Sequence, residues 1–157
     1  MSLSSAREIV CKYLSYRFTE RDGSTRYIQL PLVHVILESR VDKIGTDALV
    51  DSGSTTTFVP KEIADAISLV PSGSTEVVRA EAAGAGGRFP TDVVHLKRLT
   101  LIKNVTPFAQ CVEILVHVPR EEGRIPYTIL GRDHVFPKFD ITFHEKRRKF
   151  TFTRIGD

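Results

Sequence analysis

Almost every apolar run in this chain repeats with a period of two, and one stretch alone is clearly spaced as a helix. A period of two sends alternate side chains to opposite faces of a strand, so the core has to be built from sheets. Tyr13 to Phe18 alternates apolar and polar residues, Arg21-Asp22-Gly23-Ser24 supplies turn chemistry, and Tyr27 to Leu37 is a long extended run. Together they predict a β-hairpin. Pro31 has no N–H to donate, which puts that part of the second arm at an edge or a bulge. Ile44 to Asp51, Ser74 to Ala80, Thr91 to Leu101 and Val105 to Val118 read as further strands. Phe139 to Phe143 and Lys149 to Thr153 alternate around the basic turn Lys146-Arg147-Arg148-Lys149. The helical stretch is Val59 to Ile67, with Pro60 near its first turn and Ile63, Ala66 and Ile67 on one side. One more helical turn after Gly131 would stop at Pro137. No repeat and no linker interrupts the pattern, so the expectation is a single domain over residues 1–157. It is all-β, a closed barrel or sandwich with one or two short helices.

Composition removes several function classes. A chain of 157 residues with 41% apolar and 26% charged side chains is ordinary for a globular protein. No apolar run approaches the ~20 residues of a membrane span. Met1-Ser2-Leu3-Ser4-Ser5 lacks the apolar core of a secretory signal, so the expected location is cytoplasmic, with no membrane partner. Cys11 and Cys111 lie 100 residues apart and no Cys-x-x-Cys occurs, which fits free thiols and argues against a zinc site; no metal and no cofactor are expected. The net charge of +3 is mild. The basic run sits between two strand-like segments without interleaved aromatics, so it reads as a solvated hairpin turn and no nucleic-acid partner is expected.

The chemistry concentrates at Ala48-Leu49-Val50-Asp51-Ser52-Gly53-Ser54-Thr55, where an apolar strand ends in an acid. Such an acid is at least partly buried. Alone, Asp-Ser-Gly is a common turn tripeptide. About 80 residues later comes Ile129-Leu130-Gly131, followed by Arg132-Asp133. Between the two lies Glu81-Ala82-Ala83-Gly84-Ala85-Gly86-Gly87-Arg88. A phosphate cradle would need a helix after the glycines, yet Phe89-Pro90-Thr91-Asp92-Val93-Val94 is extended, so this is a mobile, weakly packed hairpin tip. His34, His95, His117, His134 and His144 are scattered without His-Glu-x-x-His spacing, and no Gly-x-Ser-x-Gly elbow supports a triad on Ser52 or Ser54. Asp133 and Asp140 are the candidates for a second acid in the same chain; capping of the short helix is the better reading of Asp133.

The three parts in this order resemble the retropepsin-like aspartic peptidases, the single-domain family that includes the retroviral proteases and their cellular and prokaryotic relatives. The resemblance covers roughly Tyr27 to Thr153. It implies a retropepsin-like closed barrel with a core over residues 27–153, residues 1–26 being an N-terminal arm or hairpin without an assigned role. It implies that Asp51 is catalytic, that Ser52, Gly53 and Ser54 support the active-site loop, and that Ala83, Gly84, Ala85, Gly86 and Gly87 form a flap over substrate. Ser52 would hydrogen-bond across a dimer axis, and Ser54 would reach the outer carboxylate oxygen. Ile129, Leu130 and Gly131 form a structural motif beside the site. Arg132 would make an ion pair to the active-site loop or to a partner subunit. Val50, Val59, Phe108 and Ile129 are candidates to line or support the substrate pockets.

Elementary chemistry points the same way. Metal-free peptide hydrolysis needs one group to take a proton from water and another to protonate the leaving amide. Two carboxyls sharing one proton supply both forms, because like charges a few ångströms apart resist joint ionisation. This chain has one such acid, so a second copy must bring the other, and a two-fold axis between two Asp51 side chains does that. The expectation is a homodimeric aspartic endopeptidase acting on extended peptides or proteins. The rival readings are a non-catalytic dimeric peptide-binding module of the same fold, and a basic nucleic-acid-binding β domain.

Overall fold

The computed structural model describes residues 2–70, 77–84 and 87–156. Eleven strands appear among them: β1 Glu8–Lys12, β2 Leu14–Thr19, β3 Thr25–Leu30, β4 Leu32–Glu38, β5 Lys43–Val50, β6 Val78–Gly84, β7 Gly87–Lys103, β8 Thr106–Pro119, β9 Thr128–Leu130, β10 Phe139–His144 and β11 Lys149–Arg154. One α-helix, α1 Lys61–Ala66, and two short 3-10 turns, Phe136–Lys138 and Glu145–Arg147, complete the described elements. The all-β expectation holds. The Ser74–Glu76 end of the predicted strand over Ser74–Ala80 lies outside the described residues.

The strands form three sheets: β1-β11-β10, the pair β2-β3, and β6-β7-β4-β5-β9 with β8 also on β7. None of them closes on itself among the described residues, so the closed barrel gives way to open sheets, of which the three-stranded and six-stranded ones share a core. The spine is β7, whose 17 residues pair with β6 at one end, with β4 at the other and with β8 along the length. The shared cluster takes Ile9 and Cys11 from β1, Val35 and Leu37 from β4, Val50 from β5, Leu99 from β7, Phe108 from β8, Leu130 from β9 and Phe150 and Phe152 from β11. Each fully buried Leu or Phe there stabilises the fold by roughly 1.5–3 kcal/mol, which fixes the strand ends that carry the site.

Three local readings change. Strand β1 precedes the first predicted strand and pairs with β11, Ile9 opposite Phe152 and Cys11 opposite Phe150. The extended run over Tyr27–Leu37 is broken at Pro31, so β3 closes a hairpin with β2 while β4 joins the large sheet. Proline cannot donate to a ladder, and the Pro31 carbonyl instead accepts the Val50 N–H at 3.0 Å. In α1 the buried side is Ala64 with Ile67 just beyond it; Ala66 is exposed. The basic turn joins β10 to β11 as expected, with Arg148 left-handed (φ 48°) and its N–H on the Glu145 carbonyl.

Candidate active site

The site is made where β5 and β9 run in parallel. Ala48 lies opposite Thr128, Leu49 opposite Ile129 and Val50 opposite Leu130, so the two distant motifs become neighbours. The Asp51 N–H continues the ladder to the Leu130 carbonyl at 3.2 Å. The chain then turns on the acid itself. The Gly53 N–H donates to Asp51 Oδ1 at 2.8 Å, and the Ser54 N–H to the Asp51 carbonyl at 3.2 Å. A Cβ on Gly53 would stand 3.2 Å from that same Oδ1, so a side chain there would crowd the carboxylate. Asp51 is half-buried, while Ser52 and Gly53 are exposed. Ser54 Oγ donates to the Thr56 carbonyl at 2.7 Å, within its own loop.

The Gly131 turn is stitched onto this loop. Phe58 and Ile129 exchange N–H to carbonyl bonds of 2.9 Å each way, Arg132 N–H donates to Ser54 O at 2.9 Å, and Asp133 N–H to Thr55 O at 2.8 Å. The Gly131 N–H reaches the buried Thr57 Oγ1 at 3.2 Å. A Cβ on Gly131 would lie 2.1 Å from the Thr56 carbonyl oxygen and 2.3 Å from its carbon, so only glycine fits the crossing. The Arg132 side chain is exposed and makes no ion pair among the described residues, so its expected partner is not in this loop. Asp133 does not cap through its side chain; its carbonyl accepts the Val135 N–H at 2.8 Å at the entry to the 3-10 turn.

A cleft of about 500 Å³ opens beside the acid. Asp51, Gly53 and Ser54 line one part, Ala83, Gly84 and Phe89 come from the β6–β7 hairpin, and Phe58, Ile129, Arg124 and Ile125 complete it. On either side of the tip, Ala82 pairs with Phe89, Ala83 with Arg88 and Gly84 with Gly87. Gly87 takes φ +90°, which glycine alone adopts readily. Ala85 and Gly86 lie outside the described residues. Phe89 packs on Phe58 at 6.1 Å, and the Arg124 guanidinium lies over the Phe89 ring at 4.7 Å, tying the hairpin to the loops beside the acid.

Of the proposed pocket residues, Ile129 lines the cleft, whereas Val50, Val59 and Phe108 are buried in the core. Sequence reasoning missed Phe58, Phe89, Arg124 and Ile125. The adjacency of Phe89 to the glycines was the one usable signal. Two titratable groups flank the site. Burial raises the Tyr127 phenol above its ordinary value, and the Tyr16 and Asp51 charges add to that. Burial lowers His117, with the Asp133 charge partly opposing. His117 sits behind Phe58 at 5.5 Å between ring centroids and shares a 3.1 Å hydrogen bond with Thr91 Oγ1. Among the described residues no group of three or more His, Cys, Asp or Glu is placed to hold a metal ion, and no helix is long and apolar enough to cross a membrane.

Residues 37–133, more than half of the chain, match the family model described as aspartyl protease. The chain belongs to the aspartyl protease family and is by that membership an aspartic peptidase, a hydrolase. Its fold is retropepsin-like: it resembles a retropepsin-like aspartic protease from Rickettsia conorii with a TM-score of 0.59 at 15% identity, over 94% of this chain and 90% of that one. The EIAV protease in complex with the inhibitor HBY-793 matches with a TM-score of 0.46 at 19% identity, over 69% of this chain and 86% of that one. No curated protein matches the chain.

Proposed function

We propose that the protein is an endopeptidase whose working unit is a homodimer, with water activated between two Asp51 carboxylates, one from each subunit. The observation that carries this reading is the single acid at the end of β5, held in its turn and open to a cleft large enough for peptide side chains. One carboxylate supplies only one of the two proton-transfer roles. In the dimer one Asp51 would act as base and the other as acid, exchanging roles during the cycle. Activity would fall at high pH once both are ionised, since no proton is then left to share. Gly53 and Ser54 would hold the loop, Ser52 would bond across the axis, and Arg132 would find its ion pair in the partner subunit.

The hairpin Ala83 to Gly87 would act as a flap, closing over an extended substrate that binds as an added strand with side chains alternating between pockets. We take the chain as one domain, and the β2–β3 hairpin, which gives no residue to the shared core, as its accessory arm. The buried, unpaired Cys11 and Cys111 support a reducing compartment such as the cytoplasm.

The test is Asp51→Asn assayed on a peptide mixture. Cleavage should vanish while the melting temperature and the sedimentation of the dimer stay as in the wild type. Cleavage that survives the substitution overturns the proposal. Peptide binding without turnover by the wild type would transfer it to the non-catalytic module.

A further inference from the structure

Strands β2 and β3 form a ribbon whose two faces differ. Residues opposite each other in an antiparallel pair share a face. Leu14 lies opposite Leu30, Tyr16 opposite Ile28 and Phe18 opposite Arg26, so five apolar or aromatic side chains and one arginine make up one face. The arginine is engaged at the ribbon tip, with Arg26 over the Phe18 ring at 5.3 Å and paired with Glu20 at 2.7 Å. The opposite face is mostly polar, from Ser15 and Gln29 to Thr19 and Thr25. An apolar sheet face ordinarily covers a core. Among the described residues, neither the shared core nor the half-buried side chains packed against it include one from this ribbon. Leu14 is 41% exposed and Phe18 38%. A two-stranded hairpin left alone in water is marginal at best, so this face needs a cover.

The position of the ribbon points to the cover. Tyr16 meets Tyr127 edge-on, 5.2 Å between ring centroids. Tyr127 leads into β9 two residues before the cleft-lining Ile129, and stands near enough to Asp51 for that charge to raise its phenol further. The two-fold axis proposed above runs between two Asp51 carboxylates, so the surface flanking Asp51 in one subunit faces the other. The acid loop offers little to hold such a pair, because its exposed residues are Ser52, Gly53 and Thr55. A stable interface buries about 800 Å² on each partner and is anchored by aromatic and large apolar side chains. The ribbon carries such anchors, and the core of its own chain does not take them.

We infer that the β2–β3 ribbon is the dimerisation arm: its apolar face, led by Leu14 and Phe18, packs on the partner subunit beside the paired Asp51 loops. This rests on the homodimer reading above and assigns the surface that holds the two acids together. A two-fold interface is isologous, so both arms engage at once and each subunit gives and receives the same contact. Without the arm the Asp51 loops would meet only at high protein concentration.

The experiment uses the full-length protein with Leu14→Thr and Phe18→Thr together, which keeps strand-forming residues on the ribbon. Sedimentation equilibrium and peptide cleavage are followed across protein concentration. The dimer dissociation constant should rise about a hundredfold, roughly tenfold for each lost anchor. The concentration giving half-maximal specific activity should rise with it, and full activity should return at high concentration. Tyr27→Thr, on the opposite face, should leave both readings as in the wild type. Hydrogen exchange of the wild type reads the same surface without a substitution: amides of residues 14–30 should lose protection on dilution below the dissociation constant. An unchanged dissociation constant in the double variant, or ribbon exchange independent of concentration, overturns the inference and leaves the dimeric peptidase standing. A double variant that dimerises as the wild type but shows a raised KM assigns the face to substrate and likewise overturns it. A wild type that stays monomeric at every concentration overturns both this inference and the homodimer reading.

Discussion

Gly131→Ala tests the crossing of the two motifs. A methyl group built on Gly131 would sit 2.1 Å from the Thr56 oxygen, 2.3 Å from its carbonyl carbon and 2.8 Å from its nitrogen. All three are backbone atoms, so no rotamer change relieves the overlap. The oxygen alone would have to retreat by about 1 Å to reach the shortest contact that real Cβ atoms show. That movement pulls on four bonds: Gly131 N–H to Thr57 Oγ1, Ser54 Oγ to Thr56 O, Arg132 N–H to Ser54 O and Asp133 N–H to Thr55 O. Overpacking costs about 1–3 kcal/mol and each lost bond about 1 kcal/mol, so losing two gives a destabilisation of roughly 3–5 kcal/mol. That is a large part of the ~5–15 kcal/mol that holds a typical domain, and it lowers the melting temperature by roughly 6–20 °C. Gly23→Ala is the control: Gly23 has φ +84° but an added Cβ meets nothing within 4 Å, so backbone strain of about 1–2 kcal/mol is the whole effect. Chemical and thermal unfolding followed by circular dichroism measure both. A Gly131→Ala protein no less stable than Gly23→Ala refutes the steric argument.

Thr57→Val removes the acceptor of the Gly131 N–H while keeping the side-chain shape, and should destabilise by about 1–3 kcal/mol in urea unfolding. Thr57→Ser keeps the oxygen and should lose less; equal losses would place the effect in packing instead. His117 is lowered by burial, so the unfolded chain takes up its proton first as pH falls below about 6.5, and stability declines in that window. The decline should be shallower in His117→Gln, and urea midpoints from pH 8 to 5 that run parallel in both proteins would contradict this. Tyr13 is pushed up to about 12, first by burial and then by its hydrogen bond to Glu145. Its contribution is therefore fully present below pH of about 10 and lost as pH rises towards about 12, a loss that Tyr13→Phe should lack when the two stability curves are subtracted.

The acid and its surroundings were legible because each part leaves a local mark. An apolar run ending in Asp51-Ser52-Gly53 is a strand followed by a turn, and Gly131 after Ile129-Leu130 marks a close backbone approach. Chain order alone cannot say that β5 and β9 pair in parallel, since that contact spans some 80 residues. The mid-run break at Pro31 was signalled, but its consequence, two strands in two different sheets, depends on which neighbour each arm finds. Strand β1 was missed because Glu8 to Lys12 has little pattern of its own and owes its place to β11. The cleft walls were the least readable part. Val50, Val59 and Phe108 look like pocket residues by composition but are consumed by the core, whereas Arg124 and Ile125 sit in a loop without periodicity and are placed by Asp92 and Glu62.

The central claim is that two chains build one active site, and mixing experiments test it most directly. Wild-type protein at a fixed concentration is allowed to exchange subunits with increasing Asp51→Asn protein, and peptide cleavage is followed. If both acids are required, each mixed dimer is inactive. Random pairing then leaves about half of the activity at equal amounts and about a tenth at a ninefold excess of the variant. Activity that stays constant across the titration would mean that one chain suffices, and would contradict the account.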